Sequence, residues 1–237
     1  MKTSMRALLV DLDDTLFDHT RATRDALARL CEAEPALTCW PIDELARRHN
    51  AILEARHQDV LAGKLTIDRA RVRRFTELLH AASVQDAEHK AIGLARTYRG
   101  AYQASRHAVP GAAALLAATR QSGARVVVVT NNVTVEQREK LVAIGLDGAI
   151  DALVTSEDVG AQKPSPAIFA AALDAAGAAA HEAVMLGDAW MVDVEGALSA
   201  GLRAVWFNRA GAVAPRSGVP ELRAFEPLER ALAMLQI

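Results

Sequence analysis

From Val109 onward, short apolar runs alternate with segments of helical periodicity, and that alternation leaves few folds open. Helices are expected over 112–121, 135–144, 164–176, about 192–200 and 220–235. Between them lie apolar strands over 124–129, 152–155, 183–186 and 203–207. A strand that returns parallel to its neighbour needs a crossover, and a helix is the usual one, so the pattern implies a parallel sheet covered on both faces. Residues 6–10 near the N-terminus read as a fifth buried strand of the same kind. The expected fold class is therefore α/β, with a five-stranded parallel sheet.

The first strand is set apart from the rest. Residues 11–123 separate it from the second, whereas a strand–helix–strand unit needs only about 30 residues. Four helices are expected in that interval, over 18–34, 41–62, 66–82 and 86–105. Apolar residues there recur at helical spacing, as in Val72, Phe75, Leu78 and Leu79, and stop signals fall at Pro35, Gly63 and 83–85. The economical reading is an insertion. Residues 1–16 and 108–237 form an α/β core domain, and 17–107 form an all-helical domain.

Composition narrows the partners. Formal net charge is −2, with 51% hydrophobic and 24% charged residues, so no global field attracts a nucleic acid polymer or an anionic membrane. No run approaches the roughly 20 apolar residues of a membrane span, and the N-terminal residues lack a secretory apolar stretch. Cys31 and Cys39 stand alone. They are expected as reduced thiols in a cytoplasmic protein, which is a monomer or homodimer.

Ligands of an open parallel sheet bind at the carboxyl ends of its strands. The residues expected there are Asp11 and Asp13, then Thr130 and Asn131, then Asp188 with Asp193 shortly after. Lys163 precedes a proline that opens a helix. Taken singly, each has an ordinary structural explanation: Thr130 as a strand-end hydroxyl, Lys163 as a solvated charge, Asp193 as a helix-end carboxylate. Taken together they form a phosphoryl-transfer set. Asp11 can attack phosphorus as a nucleophile. Asp13, two residues on along an extended chain, points the same way and can serve as general acid and base. A phosphate dianion beside these carboxylates needs a hard cation, Mg²⁺, held by Asp11 and Asp188, with Asp193 ligating directly or through water. Thr130 and Lys163 supply a donor and a positive charge to phosphate. Asn131 lies close enough to be a substrate contact, and Trp190 is placed to reach the cleft.

The stretches DLDDTL from Asp11, VVVVTNN ending at Asn132, QKPSP around Lys163 and MLGDAWMVDVEGA around Asp188 resemble the four motifs of the haloacid dehalogenase-like hydrolase superfamily. The resemblance implies a Rossmann-like core whose helical insertion is a small mobile cap. It implies Asp11 as nucleophile, Asp13 as acid and base, and Mg²⁺ on Asp11, the Asp13 backbone carbonyl and Asp188. It also implies phosphate on Thr130 and Lys163. Dehalogenases of that superfamily lack the second carboxylate and work without metal. Asp13, Asp188 and Asp193 therefore favour a phosphatase acting on a small phosphate monoester, nucleotide or sugar phosphate in class. Alternatives on the same fold are a phosphotransferase or mutase and a metal-independent 2-haloacid dehalogenase. A receiver-like or phosphate-binding signalling module is the non-enzyme alternative. No residue of the insertion can be assigned a substrate contact.

Overall fold

The computed structural model describes residues 5–236. Two compact units emerge, one built from 1–18 and 107–237 and the other from 19–106. In chain order the elements are β1 (Ala7–Val10), α1 (His19–Ala33), α2 (Ile42–Leu61), α3 (Ile67–Ala81), α4 (Ala87–Ala104), α5 (Ala112–Gln121) and β2 (Arg125–Thr130). They continue with α6 (Thr134–Ala143), β3 (Ala152–Thr155), α7 (Ser156–Val159), α8 (Pro166–Ala176) and β4 (Ala183–Gly187). The last are α9 (Glu195–Ser199), β5 (Arg203–Phe207), β6 (Glu221–Leu222) and α10 (Leu228–Leu235).

The sheet runs β3-β2-β1-β4-β5-β6, every pair parallel. β1 lies inside it, with Val10 opposite Val128 on one side and Leu186 on the other. All four β1 residues are buried, as an apolar run without alternation predicts for a strand covered on both faces. One of those faces joins Leu9, Val127, Val129 and Met185 to Ile168 and Phe169 of α8. α8 begins at Pro166, two residues later than expected, with the Ser165 hydroxyl accepting from Ala167 N. It ends at Gly177, whose φ of +61° suits a residue without Cβ.

Six strands replace the five expected. The extra one, β6, lies in the region expected as a long helix. Trp206 N donates to Pro220 O at 2.9 Å and Asn208 N to Leu222 O at 2.7 Å, which draws this segment onto the sheet edge. Helix begins only after Pro227, because a residue preceding proline is pushed out of helical backbone.

At the end of β1 the chain turns sharply. Asp14 adopts φ +60°, a conformation aspartate tolerates better than bulkier residues, and its N–H donates to Phe17 O at 2.7 Å. Phe17 then bridges to Ala108, and Asp18 N donates to His107 O at 3.0 Å. The chain thus leaves and re-enters this unit at one point, so the insertion leaves the sheet uninterrupted.

The helical unit packs α1 on α4, α4 on α3 and α3 on α2. Its core includes Leu27, Leu30, Leu45, Phe75, Leu78, Leu79 and Tyr98. Helical periodicity placed each boundary to within a residue or two, and a short 3₁₀ segment, Pro35–Cys39, was added to the expected elements. His49 is fully buried there, its ring 4.8 Å from Tyr98 and 5.9 Å from Phe75. Burial, reinforced by the Arg74 charge, pulls its imidazole down to about 3. Cys31 and Cys39 are free thiols, and burial pushes Cys31 up. No described helix is long and apolar enough to cross a membrane.

Candidate active site

The sheet order reverses direction between β1 and β4, the position where open α/β sheets form a ligand crevice. Asp11 leaves β1 at that edge, its N–H still donating to Leu186 O at 2.9 Å. Asp188 leaves β4 beside it, and Trp206 Nε1 grips the Asp188 carbonyl at 2.8 Å. The site is therefore anchored on the two central strands of the sheet.

Lys163 enters from the loop before α8. Its Nζ lies 2.6 Å from Asp11 Oδ1 and 2.7 Å from Asp193 Oδ1, with the residue only 3% exposed. Burial alone would pull the ammonium down, but the charges of Asp11 and Asp193 override it and hold the group above the ordinary lysine range. Asn131 sets its backbone. Asn131 Oδ1 accepts from Lys163 N at 2.6 Å, and Asn131 Nδ2 donates to Lys163 O at 2.8 Å. The Asn131 amide is thus engaged with the chain itself.

Asp193 sits on a π-helical turn, Trp190–Val194, where a regular helix was expected. Such wide turns are rare and concentrate at functional sites. Its N–H donates to Ala189 O at 2.7 Å, and its Oδ2 accepts from Ala189 N at 3.0 Å. α9 then packs tightly on the Lys163 loop, since a Cβ at Gly196 would lie 2.9 Å from Pro164 Cβ. Trp190, expected to reach the cleft, is instead buried edge-to-face against Trp206 at 5.0 Å, its Nε1 donating to Glu195 at 3.1 Å. Packing two indoles together removes more apolar area from water than exposing one.

Asp11, Asp188 and Asp193 each offer a carboxylate oxygen, and these atoms lie within 4.8 Å of one another. Burial pushes Asp11 up to about 7, helped by Asp193 and opposed by Lys163. Burial also pushes Asp188 up to about 8, with Asp11 and Asp193 adding to it. Three carboxylates and one ammonium leave a formal −2, which a divalent cation balances. An all-oxygen, anionic donor set of this kind fits Mg²⁺.

A second group adjoins the first. The Asp13 carboxylate is held by Lys140 Nζ at 2.6 and 2.7 Å, and Gln137 Nε2 reaches Asp13 Oδ2 at 3.2 Å. The same Gln137 nitrogen donates to Thr130 Oγ1 at 2.7 Å. An accepting Thr130 oxygen keeps its own hydrogen for another acceptor. Of the residues expected from sequence, Asp11, Lys163, Asp188 and Asp193 form one cluster, Asp13 and Thr130 form the second, and Asn131 ties Lys163 to the end of β2.

Gln137 and Lys140 escaped the sequence reading. They occupy i and i+3 of α6 and are both buried, whereas the apolar Val135 and Val142 are 66% and 60% exposed. Two polar residues sharing one helix face, beside apolar residues on the other, were the signal that could have found them.

A family model described as haloacid dehalogenase-like hydrolase matches residues 5–201. A phosphoserine phosphatase of Thermus thermophilus is 34% identical, with the alignment covering 97% of this chain and 99% of that protein. A ribulose-1,5-bisphosphate 5-phosphatase of Halopiger xanaduensis is 29% identical over 85% of this chain and 84% of its own. Among solved structures, the putative HAD-hydrolase YfnB of Bacillus subtilis, bound to magnesium, superposes with a TM-score of 0.74 at 26% identity, covering 99% of this chain and 100% of that one. A dehalogenase with a TM-score of 0.75 at 23% identity, covering 99% of both chains, shares the fold. With motifs, sheet topology and full-length relatives in agreement, the chain belongs to the haloacid dehalogenase-like hydrolase family, and within it to the phosphoric monoester hydrolases.

Proposed function

We propose that this hydrolase is a Mg²⁺-dependent phosphatase that cleaves a small phosphate monoester through an aspartyl-phosphate on Asp11. The observation that carries this reading is the pairing of two carboxylates in one strand-end turn, Asp11 beside Lys163 and Asp13 beside Lys140. A dehalogenation releases halide and has no use for the second carboxylate, whereas ester cleavage leaves an alkoxide that must be protonated.

In the first half-reaction an Asp11 oxygen bonds to phosphorus while the bond from phosphorus to the leaving oxygen breaks. Asp13 delivers a proton to that oxygen. In the second, water attacks the same phosphorus, Asp13 takes the water proton, and the bond to Asp11 breaks to release inorganic phosphate. Lys163 and the Thr130 hydroxyl neutralise and orient the phosphoryl oxygens. Asp11, Asp188 and Asp193, with the Asp13 carbonyl, would hold Mg²⁺, which supplies charge neutralisation between carboxylates and phosphate. The helical unit takes the part of the family's cap. Relatives named for phosphoserine and for sugar phosphates support a small phosphorylated metabolite as substrate.

The test is a panel of phosphate monoesters with Mg²⁺, using the wild type and Asp11→Asn. The variant is expected to lose at least about 1000-fold in turnover while keeping its circular dichroism and melting behaviour. Undiminished phosphate release by Asp11→Asn would remove the nucleophile, and with it this reading.

A further inference from the structure

Lys140 is a charged side chain in an expensive place. It is 5% exposed on the inner face of α6, and its ammonium also lies 5.2 Å from the Phe17 ring centroid. A buried ion pair rarely stabilises a fold more than apolar side chains of the same volume would. Gln137 on the same face adds a second such cost, because its buried Oε1 has no protein hydrogen-bond partner. Stability alone therefore explains neither residue well. Both spend their donors on residues of the site: Lys140 on the two oxygens of Asp13, and Gln137 on Asp13 and Thr130 together.

We infer that Lys140 and Gln137 are positioning residues for proton transfer, acting through Asp13. This inference rests on the phosphatase reading above, in which Asp13 protonates the leaving oxygen and then deprotonates water. A carboxylate on a flexible two-bond stem samples several rotamers, and a proton can be passed only from one of them. Lys140 holds both Asp13 oxygens at once, so the side chain turns only by breaking a charge-assisted contact. Gln137 locks this orientation to Thr130, so the residue gripping phosphate and the residue serving the leaving oxygen are set by a single helix face.

The test compares wild type, Lys140→Met, Lys140→Arg and Gln137→Met on two substrates with Mg²⁺. p-Nitrophenyl phosphate has a leaving group that needs no proton, and glycerol 2-phosphate has an alkoxide that does. For Lys140→Met, kcat on glycerol 2-phosphate should fall about 100-fold, the lower end of a general acid's contribution, with KM within about threefold of wild type. On p-nitrophenyl phosphate the same variant should release a burst of nitrophenolate stoichiometric with enzyme. Slow turnover should follow, because only the second half-reaction still needs Asp13. Lys140→Arg should recover most of the loss. Wild-type kcat in Lys140→Met, an equal loss on both substrates without a burst, or a loss confined to KM would each overturn the inference. Should Lys140→Met fail to fold, the same substrate comparison on Gln137→Met decides between these outcomes. A wild type that hydrolyses neither ester defeats the phosphatase reading instead, which separates the two failures.

Discussion

Gly187 and Asp193 compete for one volume. A Cβ on Gly187 would lie 2.6 Å from Asp193 Cβ and closer still to its carboxylate, so the last residue of β4 must be glycine for Asp193 to reach Lys163. The π-helical turn that carries Asp193 folds back over the strand end, and the absent side chain is what lets it do so.

Gly187→Ala should therefore act at a distance from the reacting atoms. Overpacking of this kind costs about 1–3 kcal/mol, and displacing a site group by about 1 Å can cost on the order of 100-fold in rate. The expected result is a kcat reduced about 100-fold with a melting temperature lowered by several degrees. A variant with wild-type kcat would show that Asp193 has no need of its observed position.

Removal of Mg²⁺ should be visible without any substrate. Binding to the three-carboxylate cluster at about 100 times the dissociation constant stabilises the folded state by about 2.7 kcal/mol, and Asp188→Asn should abolish most of that gain. The sign with pH follows from burial. Asp11 and Asp188 are raised to about 7 and about 8 from an ordinary 3.8, so metal-free folded protein holds protons that the unfolded chain has lost. Its stability from this source is complete below about pH 4 and is lost as pH rises through 7 to 8. Mg²⁺ competes with those protons, so the thermal shift it causes should grow over the same range. A shift independent of pH would place the cation elsewhere.

His49 should give the opposite slope at lower pH. Its folded value of about 3 lies below the ordinary 6.5 because burial disfavours the imidazolium. As pH falls from 6.5 toward 3, the unfolded chain takes up a proton that the folded chain refuses, and stability declines. Denaturation midpoints across that window should fall less steeply for His49→Leu than for wild type. Equal slopes would mean that His49 takes up its proton in the folded state as readily as in the unfolded one.

Much of this was readable from local pattern. Periodicity located the helices of the insertion because each buries one stripe of apolar residues, and Val126–Val129 announced a strand covered on both faces. Asp11, Asp13, Thr130 and Asp188 could be named because strand ends collect at one sheet edge whatever the side chains do, and Lys163 because it precedes a proline that opens a helix. Helix α6 defeated the same logic. Its apolar Val135 and Val142 face outward while Gln137 and Lys140 are buried, an arrangement that becomes favourable only when Asp13 and Thr130 arrive from other strands to accept their donors.

Local spacing along the chain made the α/β class legible, and with it the helices of 19–106 and the carboxylates expected at the strand ends, since periodicity and strand ends depend on residues a few positions apart. Contacts between distant segments decided the rest. The sixth strand formed because a backbone edge beside β5 was open to pairing, and Asp193 could approach Lys163 only through the space left by Gly187. The partners of Asp13 were chosen by the cost of burying charge without a counter-charge, a quantity that has no value until the chain has folded.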